Sequence, residues 1–597
     1  VYRILILFLL QASLRALLWF ELSIVPGSYD DFRGLIGDFA LAMALASLTC
    51  LLPKRLWLLE KWLFISLATL LAACAVVNFE VVLATGSNVN FDHLMFVAQP
   101  AMLKGSIISL DNFGPLVFVL VVIGAAAWTE FKRPSARKLS KFAGPLAFAF
   151  SLLLLWNSVN KRFIVGTSYW RQYNFIVGNL HEVTMRLKPK LKVKRSSNAT
   201  IHGTRPNGTD LNGSSLVEKP INATKVTRPN VLILLFESVS GARHPGEINQ
   251  DIKFHRFKSF EKIAEQGLRV RNFIALNRQT NRGEFSIICG QFPNLSENAA
   301  KMDMYDSKRD GACLPSVLAN DGYRTMYLQA APLAFMNKMR FMPDAGFQKV
   351  HGAEVFKAGS FNSGWGANDR ALLDMTKDKI TELSKDQSSP WLLTVLTVGT
   401  HHPYETSPDF RSDYKPGSYE HSMAFLDAEF LKFIDWMQAS SLLENTLVLV
   451  SADESAGMRH EALDRVAQNW LPLYAVGPGI PRQSINDSTF TTADVALSVM
   501  DYTNGEEAKN NANFSGRSFF RKYADEREIV YGNCFHRTVG LFESARSVVI
   551  CNRDYEGCER LEWSDSLFWP YSSAKDQSID KAKIRTMVDE VQWVPDL

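Results

Sequence analysis

Charge of one sign is not in excess in this 597-residue sequence. Its 65 Lys and Arg against 61 Asp and Glu leave a formal net charge of +4. That is too little to hold a polyanion by field alone, so no nucleic-acid partner is expected. Cysteine is sparse as well. Of seven, Cys50 and Cys74 fall in apolar stretches, and Cys289, Cys313, Cys534, Cys551 and Cys558 lie further on. Five is odd, so at least one stays unpaired or pairs elsewhere. Cys289 with Cys313, and two of the C-terminal three, are the expected disulfides, in a compartment where disulfides persist. Also missing is a small-residue cleavage site after the first apolar stretch, which argues against a removed signal peptide. Long apolar stretches of membrane-crossing length are missing beyond about residue 160.

Before that point they dominate. Five stretches, near residues 4–24, 35–52, 56–83, 114–130 and 142–158, each approach the ~20 residues that cross a bilayer as a helix. Overall hydrophobic content, 47%, is high yet below that of a pure membrane bundle. The connection between the second and third stretches carries Lys54, Arg55 and Lys61; that between the fourth and fifth carries Lys132, Arg133, Arg137, Lys138 and Lys141. The alternate connections, 25–34 and 84–113, are acidic or nearly neutral, with Asp30, Asp31, Asp92 and Asp111. By the positive-inside rule the N-terminus is cytoplasmic, and five spans later everything beyond residue 160 is external. Arg15 and Asp38 lie inside apolar stretches, where mutual neutralisation or snorkelling is expected. Residues 160–195 mix aromatics with bases, Trp170 and Tyr173 among them, and suit a helix lying on anionic headgroups. Residues 196–228, rich in Ser, Asn, Gly and Thr and without periodicity, read as linker. Their Asn-x-Ser/Thr triplets at Asn198, Asn207, Asn212 and Asn222 are what such a composition produces by chance.

From Pro229 the pattern changes. Short apolar runs ("NVLILLFES", "RVRNFIAL", "TMYLQA", "WLLTVLTVGT", "LVLVSADES", "WLPLYAVGPG") alternate with amphipathic segments such as "SYEHSMAFLDAEFLKFIDWMQAS". Buried strands alternating with helices predict an α/β domain with a mostly parallel sheet. In such sheets ligands gather at the carboxyl ends of the strands. Chemistry is concentrated there: Glu237 ends the first run, His401 and His402 follow the fourth, and Asp453 and Glu454 end the fifth. Between them, "LNRQTNRGEFSIICG" reads as a loop entering a helix, with Thr280 near its start beside exposed N–H groups and the positive end of the dipole. Glu237, Thr280, Asp453 and Glu454 together would hold a hard divalent ion, which lowers the threonine hydroxyl's pKa and clamps a phosphoryl oxygen. Arg278 and Arg282 flank the threonine and can neutralise phosphate charge. His244, shortly after Glu237, reads as loop.

In order, these residues, with "LPSVLANDGYRT", "GWGANDRALLD" and a His-x-Pro turn, resemble the membrane-bound branch of the alkaline phosphatase/sulfatase superfamily. Lipoteichoic acid synthases, periplasmic-glucan phosphoglycerol transferases and lipid A phosphoethanolamine transferases belong there. The resemblance implies a five-helix transmembrane domain (1–160), a juxtamembrane interfacial helix and linker (161–228), and an extracytoplasmic α/β sulfatase-like catalytic domain (229–597) on a bacterial inner membrane. It implies Thr280 as the nucleophile, with Glu237 and Asp453 as metal ligands, and Glu454 is read as a further ligand beside them. His401, His402, Arg278, Arg282, Trp365, His460 and Lys338 would contact the substrate. The donor would be phosphatidylglycerol or phosphatidylethanolamine, and the acceptor an envelope glycan or glycolipid. Where the family has Asp-His-Gly, this chain has Asp453-Glu454-Ser455. That either shifts preference towards Mn or Mg over Zn, or leaves His460 to supply the nitrogen, or marks a degenerate sensor or scaffold. The family's glycerol-phosphate pocket falls on "YLQAAPLAFMNKMRF", where Gln329, Met336, Lys338 and Arg340 stand, so headgroup identity stays open. No Cys/Ser-x-Pro-x-Arg motif of a formylglycine sulfatase is present.

Overall fold

The computed structural model describes residues 2–22, 24–52, 54–90, 113–132, 143–160, 169–187, 228–248, 252–295, 302, 313–357, 361–363, 365–458, 461–504, 514, 516–523, 526–555, 557–563, 572–574 and 578–591. Asn198, Asn207, Asn212, Asn222 and His460 lie outside the described residues. The chain divides into two compact units, Val1–Ala98 with Ser106–Ser197, and Gln99–Gly105 with Asn198–Leu597.

In the first unit, helices occupy all five apolar stretches: Tyr2–Glu21, Tyr29–Thr49, Trp57–Thr85, Phe113–Lys132 and Ala143–Asn160. The expectation of five spans is met in part. Among the described residues three helices, Tyr2–Glu21, Tyr29–Thr49 and Trp57–Leu83, are long and apolar enough to cross a membrane. The apolar Ala143–Ser158 stretch is shorter, and rises about 24 Å against a hydrocarbon core of about 30 Å. Leu70, Val121, Leu153 and Trp156 are each more than 60% exposed, the outward apolar surface that a bilayer covers. Polar residues turn inward. Arg15 and Asp38 neutralise each other through two bonds, Nε–Oδ2 at 2.7 Å and Nη2–Oδ1 at 3.1 Å. Arg3 binds Glu130 at 2.6 Å and Glu60 at 2.8 Å, tying three helices together. Trp170 and Tyr173 are not spread on a surface but buried within the unit. Arg171 between them is drawn in by Asp31 at 2.7 Å, and a further helix follows at Phe175–Leu187.

The second unit contains β1 (Asn230–Phe236), β2 (Leu268–Ile274), β3 (Arg324–Gln329), β4 (Lys349–His351), β5 (Phe361–Ser363), β6 (Gly366–Ala367), β7 (Trp391–Leu396), β8 (Thr446–Ala452), β9 (Trp470–Leu471), β10 (Leu473–Val476) and β11 (Ser484–Thr491). The main sheet runs β11, β2, β10, β8, β1, β7, β3, β4, with β9 on β2. β1 pairs in parallel with both β7 and β8. Its six residues after Asn230 are all buried, the near-continuous apolar run of a strand covered on both faces. Antiparallel pairing enters only around β10 and β9. Helices Asp369–Ser384 and Tyr419–Ala439 begin with side-chain caps from Asn368 and Ser418.

A second sheet was not foreseen: the antiparallel meander β12 (Ile529–Asn533), β13 (Thr538–Ser544), β14 (Ser547–Asn552), β15 (Cys558–Glu562) and β16 (Ser572–Ala574). Both expected disulfides form, Cys289–Cys313 and Cys551–Cys558. Cys534 is buried and outside either bridge.

Candidate active site

Strand register builds the site. Phe236 of β1 lies opposite Ala452 of β8, so Glu237 and Asp453, the next residue on each strand, emerge side by side. The ladder continues one step further, Asp453 N–H donating to Phe236 O. On the other flank the Glu237 N–H donates to Thr397 Oγ1 at 2.8 Å, and Thr400 Oγ1 donates to Glu237 O. Asp369, at the start of its helix, accepts from Gly399 N at 3.0 Å and so holds the turn before His401.

Thr280 opens the helix Thr280–Cys289, and that helix rests directly on the end of β8. A Cβ on Gly283 would stand 1.8 Å from Asp453 O, so only glycine permits the approach. Thr280 Oγ1 lies 3.5 Å from Glu237 Oε2. Ser238 Oγ lies 2.8 Å from Glu237 Oε1 and 3.0 Å from Glu454 Oε1; its single proton serves one carboxylate at a time. Ser238 N–H donates to Asp453 Oδ1 at 3.0 Å, and Gln279 N–H to Glu454 Oε2 at 2.8 Å. Both linking residues hold positive φ, 61° at Ser238 and 105° at Gln279, at a cost of about 1–3 kcal/mol each. Glu237, Asp453 and Glu454 are buried, whereas Thr280 is half-buried.

Electrostatically the cluster is short of positive charge. Burial, then Asp453 and Glu454, push the Glu237 carboxyl well above its ordinary range. Burial, then the Glu454 charge, push Asp453 up to about 7. Asp453 Oδ2 is buried with no hydrogen-bond partner. An all-oxygen donor set with a surplus of negative charge and an orphaned carboxylate oxygen fits a hard divalent cation. Among the described residues no three His, Cys, Asp or Glu side chains are already drawn to metal-ligand spacing; the carboxylates meet through Ser238.

Of the flanking residues, Arg278 reaches Glu454 (Nε–Oε2 3.5 Å) and lies over the Phe535 ring at 5.0 Å. Arg282 is fully buried. His401 packs on Trp365, ring centroids 4.4 Å apart, and Trp365 Nε1 donates to His402 O at 2.9 Å. His401 Nδ1 lies 2.8 Å from the same carbonyl. A carbonyl only accepts, so Nδ1 carries the proton and Nε2 keeps its lone pair. Burial holds the His401 pKa below its usual value, which keeps the ring neutral. The His402 ring meets Tyr404 edge-on.

Lys338 is turned inward: it is 2% exposed and pairs with Glu284 at 2.7 Å. Tyr327 Oη donates to Glu284 at 2.5 Å, and Lys338 also donates to Gln329 at 3.0 Å. Met336 lies beside Gln279, and Arg340 points to solvent, paired with Asp344. His244 is held away by Tyr474. Sequence reasoning missed Ser238, Gln279, Asp369 and the turn after β12, where Cys534 Sγ approaches Arg278 O at 3.1 Å. Only Asp369 had a signal, an acid just after the Asn that caps a helix.

The sequence around this site matches a known family profile. The sulfatase family profile aligns with residues 229–505. That match lies within the second unit, whose α/β domain is sulfatase-like. The segment is also similar to phosphoglycerol transferase I of Citrobacter koseri, 29% identical over 233 residues, 36% of this chain and 30% of that protein. The Salmonella paratyphi B protein of the same name matches to the same extent. The aligned region thus spans under a third of these relatives' length. A protein of the alkaline phosphatase superfamily from Vibrio parahaemolyticus shares the sulfatase-domain fold, with a TM-score of 0.51 at 16% identity over 64% of this chain and 91% of that one.

Proposed function

We propose that the protein is a metal-dependent phosphotransferase. It moves a phospholipid headgroup, phosphoglycerol in first place and phosphoethanolamine in second, through Thr280 to a hydroxyl of an envelope glycan or glycolipid. The observation that carries this reading is the Thr280 hydroxyl, half-buried at a helix start and 3.5 Å from Glu237, which with Asp453 and Glu454 forms a buried cluster of carboxylates. The name of the matched relatives supports the headgroup.

Glu237, Thr280, Asp453 and Glu454 would hold a divalent ion, Mn or Mg ahead of Zn, whose charge acidifies the hydroxyl and offsets that of the phosphoryl group. Thr280 Oγ1 forms the bond to phosphorus while the bond from phosphorus to the diacylglycerol oxygen breaks, and the threonine proton leaves with that oxygen. Arg278 and Arg282 supply positive charge on the phosphate side. His401 Nε2 then takes the proton of the acceptor hydroxyl, whose oxygen displaces Thr280 from phosphorus, and the proton returns to Thr280. Trp365 fixes the imidazole plane for that step.

We place residues 1–160 in a bacterial inner membrane, 161–228 beside it, and 229–597 outside. The basic cytoplasmic connections favour that orientation, as do two disulfides in the second unit. One observation favours the degenerate reading: both Glu454 oxygens already bind Ser238 and Gln279. Headgroup-labelled phosphatidylglycerol and phosphatidylethanolamine, offered separately to the full chain in nanodiscs, decide between them. Diacylglycerol release from phosphatidylglycerol, reduced at least about 10³-fold by Thr280→Ala, is expected. Release that Thr280→Ala leaves untouched would remove the threonine from the mechanism.

A further inference from the structure

The first unit holds a small, partly open cavity, lined by polar and apolar residues together, that the transfer chemistry does not use. Its water-accessible volume is ≈ 40 Å³, and Gln11, Arg15, Asp38, Asn78, Asn88 and Asn174 line it. Four amides and an ion pair gathered in an apolar bundle are expensive to bury, and such groupings mark ligand sites in membrane proteins.

Their mutual bonds do not exhaust them. Arg15 gives Nε and Nη2 to Asp38 and Nη1 to Trp170 O. Asn174 Nδ2 donates to Asp38 Oδ1 at 2.7 Å and to Gln11 Oε1 at 2.5 Å. Asn78 Nδ2 donates to Asn88 Oδ1 at 3.1 Å, and Asn88 Nδ2 to Tyr173 O at 3.2 Å. By valence, an N–H is left over on Arg15 Nη2, Asn78 Nδ2 and Asn88 Nδ2, and lone pairs on Asp38 Oδ2, Asn88 Oδ1 and Gln11 Oε1. Both donor and acceptor capacity therefore remains among the lining residues, while the formal charges of Arg15 and Asp38 cancel. An anion asks for donors alone and an ammonium group for acceptors alone; a hydroxyl both gives and takes.

We infer that this cavity binds a neutral hydroxyl-bearing group of the size of a vicinal diol, as at the end of a glycerol headgroup. A bound water takes about 10–15 Å³, so the space of ≈ 40 Å³ suits about three water-sized groups, the scale of a vicinal diol. The inference stands whether or not Thr280 is the nucleophile, so its test reads binding and not turnover.

The full chain in phosphatidylcholine nanodiscs is doped in turn with phosphatidylglycerol, phosphatidylethanolamine or phosphatidylserine, or given free glycerol. Lipid retained after extraction is counted by native mass spectrometry, and the thermal midpoint is followed. Ala75→Leu is the variant, because Ala75 lines the cavity and filling it removes no hydrogen bond; Ala75→Val, a smaller fill, replaces it should the first not fold. Phosphatidylglycerol retained about 10-fold over the other lipids, with that preference lost in the variant and the ligand-free midpoint unchanged, is the expected result. Glycerol raising the midpoint of the wild type but not of the variant, without lipid preference, assigns the same site to a free polyol. Serine lipid retained as well as phosphatidylglycerol, a preference that survives the filled cavity, or no effect of any diol, would overturn the inference.

Discussion

At residue scale, Glu454 decides what kind of centre this is. It stands where the resemblance leads one to expect histidine, and its carboxylate ties down Ser238 and Gln279, both of which hold positive φ. A carboxylate in place of imidazole makes the donor set harder. Glu454→His is therefore expected to shift bound metal from Mn or Mg towards Zn, read by elemental analysis after loading from an equimolar mixture; an unchanged metal ratio would show that Glu454 is not a ligand. Asp369 offers a separate test, because burial pushes its carboxyl up to about 6 against the pull of two backbone N–H donors. A carboxyl that holds its proton more tightly folded than unfolded favours folding below pH ~4, and that contribution is lost as pH rises through about 6. Asp369→Asn does not titrate, so its thermal midpoint should gain on the wild type between pH 4 and pH 7, by the equivalent of about 2–3 kcal/mol. A constant difference across that range would contradict the account. Glu237, Thr280, Asp453 and Glu454 were legible in the sequence because acids and a threonine at strand and helix ends interrupt apolar runs. Ser238 and Gln279 were not, because their part is played by backbone conformation.

At the scale of elements, the site is a consequence of parallel register. β1 between β7 and β8 aligns three strand ends, and the glycine at 283 lets the threonine's helix settle on one of them. Apolar runs announced those central strands. The β12–β16 meander gave no such signal: β13 and β15 carry half-buried positions and β16 is three residues long. Lys338 shows what sequence position conceals. Its place in the sequence leads to the expectation of a substrate contact, yet the fold draws it onto Glu284, one turn along from Thr280. Lys338→Met leaves Glu284 buried and uncompensated, with an expected loss of about 3–5 kcal/mol. The double variant Lys338→Met with Glu284→Gln should recover most of it in denaturant melts. No recovery would mean that the lysine acts independently of Glu284.

At the scale of the molecule, the chain joins apolar helices in the first unit to a sulfatase-like α/β domain in the second, and the transfer from a lipid donor proposed above would use both. Long apolar runs made the helices of the first unit readable in the sequence. The number of spans was less so, since hydropathy alone does not separate a crossing helix from a shorter apolar one. The central claim is a covalent phosphoryl group on Thr280, and trapping it is the most direct measurement. The full chain is mixed with phosphatidylglycerol without acceptor, acid-quenched and digested, and the peptide containing Thr280 is weighed. The account predicts a mass gain of one phosphoglycerol on that residue, absent in Thr280→Ala. Stoichiometric diacylglycerol release with Thr280 unmodified would contradict it.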